Sequence, residues 1–181
     1  MNMDYNKIIE KYYPDDDELR QLLLLHSRQV ADVCLECCDR HPELRLDRQF
    51  VEEAAMLHDI GIRWCDAPGI HCHGDAPYLC HGLIGGRVLR EEGFPRHARV
   101  CERHTGAGIT RRQIEERQLP LPLAEYLPET LEEQLVCYAD KFFSKSHPER
   151  ILTPEQAAKS LEKFGADGPE RFLQWHARFG L

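Results

Sequence analysis

The sequence has no long hydrophobic run: its longest uninterrupted apolar stretch is five residues, 135–139, far short of the roughly 18 that a membrane-spanning helix needs. Residues 1–10 likewise hold no apolar stretch of the signal-peptide kind. These absences predict a soluble protein of the cytoplasm with no membrane partner. Basic charge is also in short supply, with 23 Lys and Arg against 31 Asp and Glu and a net charge of −8. That sign argues against a stable nucleic-acid complex held by an overall basic surface, and leaves a small nucleotide open. No stretch alternates apolar and polar residues as a half-buried strand does. Cysteine is plentiful, at eight residues, but a chain of 181 residues with no secretion signal is not a disulfide scaffold. Reduced thiols are expected, and Cys34, Cys37 and Cys38 read as small buried apolar residues of one helix.

What the sequence does hold is helical periodicity. Leu19, Leu22, Leu23, His26, Val30, Val33 and Cys37 follow a spacing of three or four and form one apolar stripe across residues 17–40. A second helix is predicted over 47–60, with Phe50, Ala54 and Leu57 inward and Gly61 as its stop. Residues 62–80 carry Pro68, Gly69, Gly74 and Pro77 and read as a long loop, a length that in a compact domain usually serves function. Helical spacing resumes over 81–89, Pro95 opens a short helix toward His104, and 111–117 is a short exposed one. Three prolines make 119–128 irregular. Thr130 with Glu133, and Thr153 with Gln156, have the form of capping boxes that open two further helices, and 169–179 makes the last. The expectation is an all-α fold: one compact single-domain helical bundle over 1–181, with its core in about 19–144 and C-terminal helices in 154–179.

His26, the adjacent His58 and Asp59, and Asp140 lie on three of these helices, each on or beside an apolar stripe. Burying an unpaired carboxylate is so costly that such groups are normally paired or bound to a metal. Imidazole nitrogen with carboxylate oxygen suits manganese, iron, cobalt, nickel or zinc.

This ordered set, with Ile60 and Gly61 following the His-Asp pair, resembles the HD-domain superfamily of metal-dependent phosphohydrolases in its HDIG-type branch, over about residues 19–144. The resemblance implies that His26, His58, Asp59 and Asp140 ligate a first divalent metal. It also implies that His81 and His104 ligate a second, for which magnesium is possible, with Asp59 bridging; one ion remains the alternative. Asp59, His81 and His104 would then be the catalytic residues. Two such ions about 3.5–4 Å apart supply hydroxide at neutral pH and stabilise both attacking and leaving oxygens, so no serine or cysteine nucleophile is needed. A small phosphorylated substrate follows, a nucleotide or related phosphometabolite. There is a fainter likeness to bacterial dinucleoside tetraphosphate hydrolases at His81-Gly82 and His104-Thr105, although the loop over 65–80 differs. Cyclic-dinucleotide phosphodiesterases match less well. Other superfamily members imply two rivals, a dinuclear-iron oxygenase and a non-catalytic metal- or nucleotide-sensing module.

Five arginines and one acid make residues 96–112 locally basic, a pattern that suits phosphate as well as a solvated helix face. Arg63, Arg103, Thr105 and Lys141 are the candidate substrate-binding residues, although Lys141 beside Asp140 could equally pair with an acid. The loop 65–80 gathers His71, Cys72, His73 and Cys80; a lid over the metal centre fits it better than a separate zinc site. Asp66, Tyr78 and Thr105 are candidates for proton transfer or substrate bonds there. His41, His147 and His176 read as surface histidines, and Trp64, Trp175, Phe142 and Phe143 as packing residues.

Overall fold

The structure, a computed structural model, describes residues 3–180. Among them are the helices α1 (Tyr5–Tyr12), α2 (Glu18–Arg40), α3 (Arg48–Leu57), α4 (His81–Glu91), α5 (Pro95–Arg103), α6 (Arg111–Arg117), α7 (Leu131–Asp140), α8 (Pro154–Leu161) and α9 (Asp167–Phe179). Local chemistry starts most of them. Asp4, Asp17 and Asp47 accept from backbone amides one turn in, and full capping boxes open α6, α7 and α8 at Thr110/Gln113, Thr130/Glu133 and Thr153/Gln156. No helix of the described residues is long and apolar enough to cross a membrane.

The centre is built from α2, α3, α5 and α7. α2 packs on α3 and α7, α5 on α3, α4 and α7, and α9 packs on both α7 and α8. Leu23, Val30, Leu57, Leu135, Tyr138 and Phe172 are among the fully enclosed side chains. Cys34 and Cys37 are free and buried, with their sulfurs directed at the carbonyls of Leu135 and Phe179. Outside this core, His97 Nε2 meets Glu53 Oε2 at 3.0 Å, a buried polar link between α5 and α3.

Two expectations need correction. The stretch 62–80 is not an irregular loop: it holds β1 (Cys65–Ala67), β2 (Cys72–His73) and β3 (Ala76–Pro77), in the order β2-β1-β3. β1 pairs antiparallel with β2 and parallel with β3, with Asp66 opposite His73 and Cys65 opposite Ala76. Strands of two or three residues are too short for alternation to show, and long-range pairing decides them. Helix α3 also ends at Leu57, not at residue 60. His58 to Gly61 form a turn instead, closed by Ile60 N–H to Leu57 O (3.0 Å) and Ile62 N–H to Asp59 O (3.0 Å). Tyr13 at the end of α1 pins that turn, donating to Ile60 O at 2.8 Å and accepting from Arg63 N–H at 3.2 Å.

Glycine sets how closely α4 approaches this turn. A Cβ on Gly61 would fall 2.0 Å from His81 O and 2.6 Å from Gly85 N, and one on Gly82 would fall 2.4 Å from Cys101 O. Backbone thus meets backbone where α4 touches the turn and α5. Gly61→Ala is therefore expected to push α4 outward and to cost about 1–3 kcal/mol, as overpacking does, lowering the melting temperature by about 3–10 °C. Thermal unfolding followed by circular dichroism checks this; an unchanged midpoint would show that the close approach carries no weight.

Candidate metal centre

The ends of the helices place the polar side chains. His26 lies within α2, on its buried face. His58 and Asp59 follow the C-terminus of α3, His81 opens α4, His104 follows the C-terminus of α5, and Asp140 is the last residue of α7. Three helix C-termini, each equivalent to about half a negative charge, thus converge on one point, a field that favours a cation. All six side chains are buried, from fully enclosed His58 and Asp59 to Asp140 at 6% exposure.

The donor atoms form two groups that share Asp59. His26, His58, Asp59 and Asp140 each offer one atom within 4.8 Å of the others, and so do Asp59, His81 and His104. His26 Nε2 is 2.9 Å from Asp140 Oδ1 and 3.2 Å from Asp59 Oδ2, while His58 Nε2 is 3.2 Å from Asp59 Oδ2. Asp59 Oδ1 faces the other pair, at 3.4 Å from His81 Nε2 and 3.3 Å from His104 Nε2.

The backbone sets which nitrogen is free. His58, His81 and His104 each direct Nδ1 to the carbonyl three residues earlier, of Ala55 (2.6 Å), Tyr78 (2.6 Å) and Cys101 (2.8 Å). Nδ1 is then the protonated donor, and Nε2 presents its lone pair to the cluster. Consequently His81 Nε2 and His104 Nε2 face each other at 3.0 Å, two acceptors that need a positive centre between them. His58 Nε2 and Asp59 Oδ1 are buried without a hydrogen-bond partner. Orphaned buried acceptors cost about 1–3 kcal/mol each, and a bound cation relieves that cost. The residues present therefore fit a divalent metal.

Charge in the cluster is strongly coupled. Burial alone would raise both carboxyl groups, but Lys145 and His58 beside Asp59, and Lys141 and His26 beside Asp140, hold them well below the usual carboxylate range. Burial alone would lower His58; Asp59 and Asp140 outweigh it and lift it to about 9. At His81 burial wins, with the neighbouring His104 and Lys145, and its pKa drops to about 3.

Lys145, which the sequence reading did not single out, is the main addition. Its ammonium contacts Asp59 Oδ2 at 2.6 Å, with the side chain 13% exposed. Burial disfavours that charge, yet Asp59, Tyr78 and Asp140 more than offset it and raise its pKa above the ordinary lysine range. Lys145 comes five residues after Asp140, outside any helix, where no periodicity marks it.

The proposed substrate contacts divide. Lys141 Nζ reaches Asp140 Oδ2 at 2.7 Å, at the cluster. Thr105 is half-buried beside His104. Arg63 instead lies over the rings of Tyr13 and Trp64, at 5.3 and 5.7 Å from their centroids. Arg103 donates to Leu127 O and Glu129, so its charge is engaged away from the cluster. The basic character of residues 96–112 is offset across the fold: Arg96 pairs with Asp47 and Glu132, Arg99 with Glu129 and Glu133, and Arg112 with Asp167. In the strand-bearing segment, Tyr78 stacks on His81 at 4.7 Å and covers the cluster, whereas Asp66, His71 and His73 are exposed. Among the described residues, the loop's cysteines and histidines do not gather into a metal-ligating group. His176 is half-buried, its Nδ1 2.9 Å from the Tyr138 hydroxyl.

A family model described as HD domain matches residues 23–144. A tRNA (cytidine(56)-2'-O)-methyltransferase of Picrophilus torridus is 32% identical over 170 residues, or 88% of this chain and 44% of that protein. The chain therefore spans less than half the length of that relative. An uncharacterized protein of Methanocaldococcus jannaschii, MJ0778, is 38% identical over 155 residues, 80% of this chain and 83% of that one. Among solved structures, the HD domain of L. monocytogenes phosphodiesterase PgpH superposes with TM-scores of 0.53 and, in its complex with cyclic-di-AMP, 0.55. It is 17% identical and covers 96% of this chain and 86% of that one, a likeness of fold.

Elemental analysis of protein purified without chelator tests the cluster. Asp59→Ala, which removes the carboxylate common to both donor groups, should lose most bound metal, whereas His81→Ala should lower the content toward one ion while the first group keeps its own. Wild-type metal content in Asp59→Ala would mean that the cluster does not hold metal through Asp59.

Proposed function

Because the chain belongs to the HD domain family, we propose that it is a metal-dependent phosphohydrolase of the cytoplasm, cleaving a phosphate ester or phosphoanhydride of a nucleotide or related small phosphometabolite. The observation that carries this reading is the pair of donor groups joined through Asp59, with two ammonium groups, Lys145 and Lys141, set against its carboxylates. The cyclic-di-AMP held by the structural neighbour is itself a nucleotide and supports that substrate class. Free cysteines, six of them fully enclosed, fit a reducing compartment. The methyl transfer in the relative's name is not carried over, since the buried His/Asp cluster is chemistry for a cation.

His26, His58, Asp59 and Asp140 would hold one divalent ion, and Asp59, His81 and His104 a second. Two imidazoles in the second group suit a first-row transition ion better than magnesium, which prefers oxygen. Bound there, a divalent cation supplies Lewis acidity and makes hydroxide available near neutral pH. The protein's own share is positional. Backbone carbonyls hold the three rings with Nε2 toward the cluster. Lys145 and Lys141 hold positive charge where phosphoryl oxygens arrive and stabilise the charge that builds on them during transfer. Tyr78 closes over His81 and keeps bulk water out.

A phosphohydrolase panel with added Mn²⁺, Fe²⁺, Co²⁺ or Ni²⁺ tests the activity: phosphate release that chelator abolishes is expected. Oxygen consumption on a small organic substrate without phosphate release would assign an oxygenase instead, and metal binding with no turnover would assign a sensing module. Lys145→Ala should lower kcat by about 10²–10³-fold, as loss of one charge-stabilising donor does, with metal content retained; wild-type kcat would remove Lys145 from the reaction.

A further inference from the structure

Next to the cluster, and using none of its proposed ligands, lies a cavity of about 380 Å³ with mainly apolar walls. Leu79 and Thr105 line it and adjoin the cluster along the chain. Thr105 follows His104, and Leu79 follows Tyr78, which stacks on His81. The opposite wall is made by Leu161, Phe164 and Gly168, from the end of α8, the turn after it and the start of α9. That wall lies beyond residue 144, where the family match stops, so the C-terminal helices complete a cavity that the matched region leaves open.

The lining has the chemistry of a nucleobase site. At the rim, the Phe164 side chain is 43% exposed, with the Arg117 guanidinium 5.7 Å and the Lys163 ammonium 4.9 Å from its ring centroid. An exposed phenyl ring flanked by cations offers stacking to a planar π-system and attraction to an anion, neither of which an aliphatic chain uses. Gly106, at φ +62° and with nothing within 4 Å of its missing Cβ, leaves bare backbone on the wall beside Thr105, as close approach of a ligand needs. The volume falls within the range of about 300–1,000 Å³ typical of small-molecule sites.

We infer that this cavity binds the heteroaromatic base of a nucleotide whose phosphate sits at the Asp59 cluster, which makes the α8–α9 segment the element that selects the substrate. The inference rests on the phosphohydrolase reading and specifies its substrate side.

The test fills the cavity. A Cβ on Gly168 would meet Leu161 Cβ at 3.6 Å and Ala107 Cβ at 3.9 Å, ordinary contacts, so the backbone accepts a side chain there and Gly168→Leu is the substitution that fills the space. Phe164→Ala removes the stacking ring from an exposed position, and its result decides the matter if Gly168→Leu does not fold. The full chain loaded with Mn²⁺ is titrated with adenosine, guanosine, cytidine and uridine 5′-monophosphates and, separately, with inorganic phosphate. At least one nucleotide should bind about 10–100-fold more tightly than phosphate, the gain that stacking one base supplies. Both variants should lose most of that gain while keeping their metal content and their affinity for phosphate. The inference is overturned if no nucleotide outbinds phosphate, or if the advantage survives both substitutions. Nucleotide binding that the variants abolish, with no hydrolysis of any phosphorylated compound, would uphold the subsite and remove the phosphohydrolase reading instead.

Discussion

A carboxylate with no access to water is the constraint around which this protein is arranged. Asp59 is fully enclosed, and the groups around it are imidazole nitrogens and the Lys145 ammonium. Placing a charge in such surroundings costs several kcal/mol even after relaxation, so the fold must supply positive charge at that point. It does so with Lys145 and with a donor arrangement that suits a divalent ion. The neighbours of Asp59 on both sides are explained by the same need.

Geometry at helix ends turns that need into a site. Carbonyls at the C-termini of α3 and α5, and in the turn before α4, receive Nδ1–H from His58, His104 and His81. One set of contacts thus ties each ring to the backbone and aims Nε2 inward. Gly61 and Gly82 allow the backbones of the turn, α4 and α5 to touch, which brings His81 and His104 to within 3.0 Å of each other. A side chain at Gly61 would push His81 away from the turn that carries His58 and Asp59, and one at Gly82 would push α4 away from α5 and so part His81 from His104.

Much of this was legible in the residues. The six polar side chains of the cluster stood out because they interrupt apolar stripes or sit at helix boundaries, and the capping residues of α7 and α8 announced where those helices begin. Lys145 was not legible, since a lysine in an irregular segment looks like any solvated lysine until the fold buries it. The arginines of residues 96–112 misled in the opposite direction. Their local excess of charge is real, but Asp47, Glu129, Glu133 and Asp167 come from distant segments to offset it. The small sheet in residues 62–80 was hidden for a similar reason, because strands this short exist only through their partners.

The sequence by itself determined most of the helices, several of their starts and the chemistry of the buried His and Asp side chains, because capping, periodicity and the cost of burying charge act over a few residues. Only the tertiary structure decided which atoms meet: that Asp59 faces two donor groups, that Lys145 joins them, and that the C-terminal helices close a cavity beside Thr105. Those outcomes depend on the packing of segments up to a hundred residues apart, and no local preference encodes a distance of that kind.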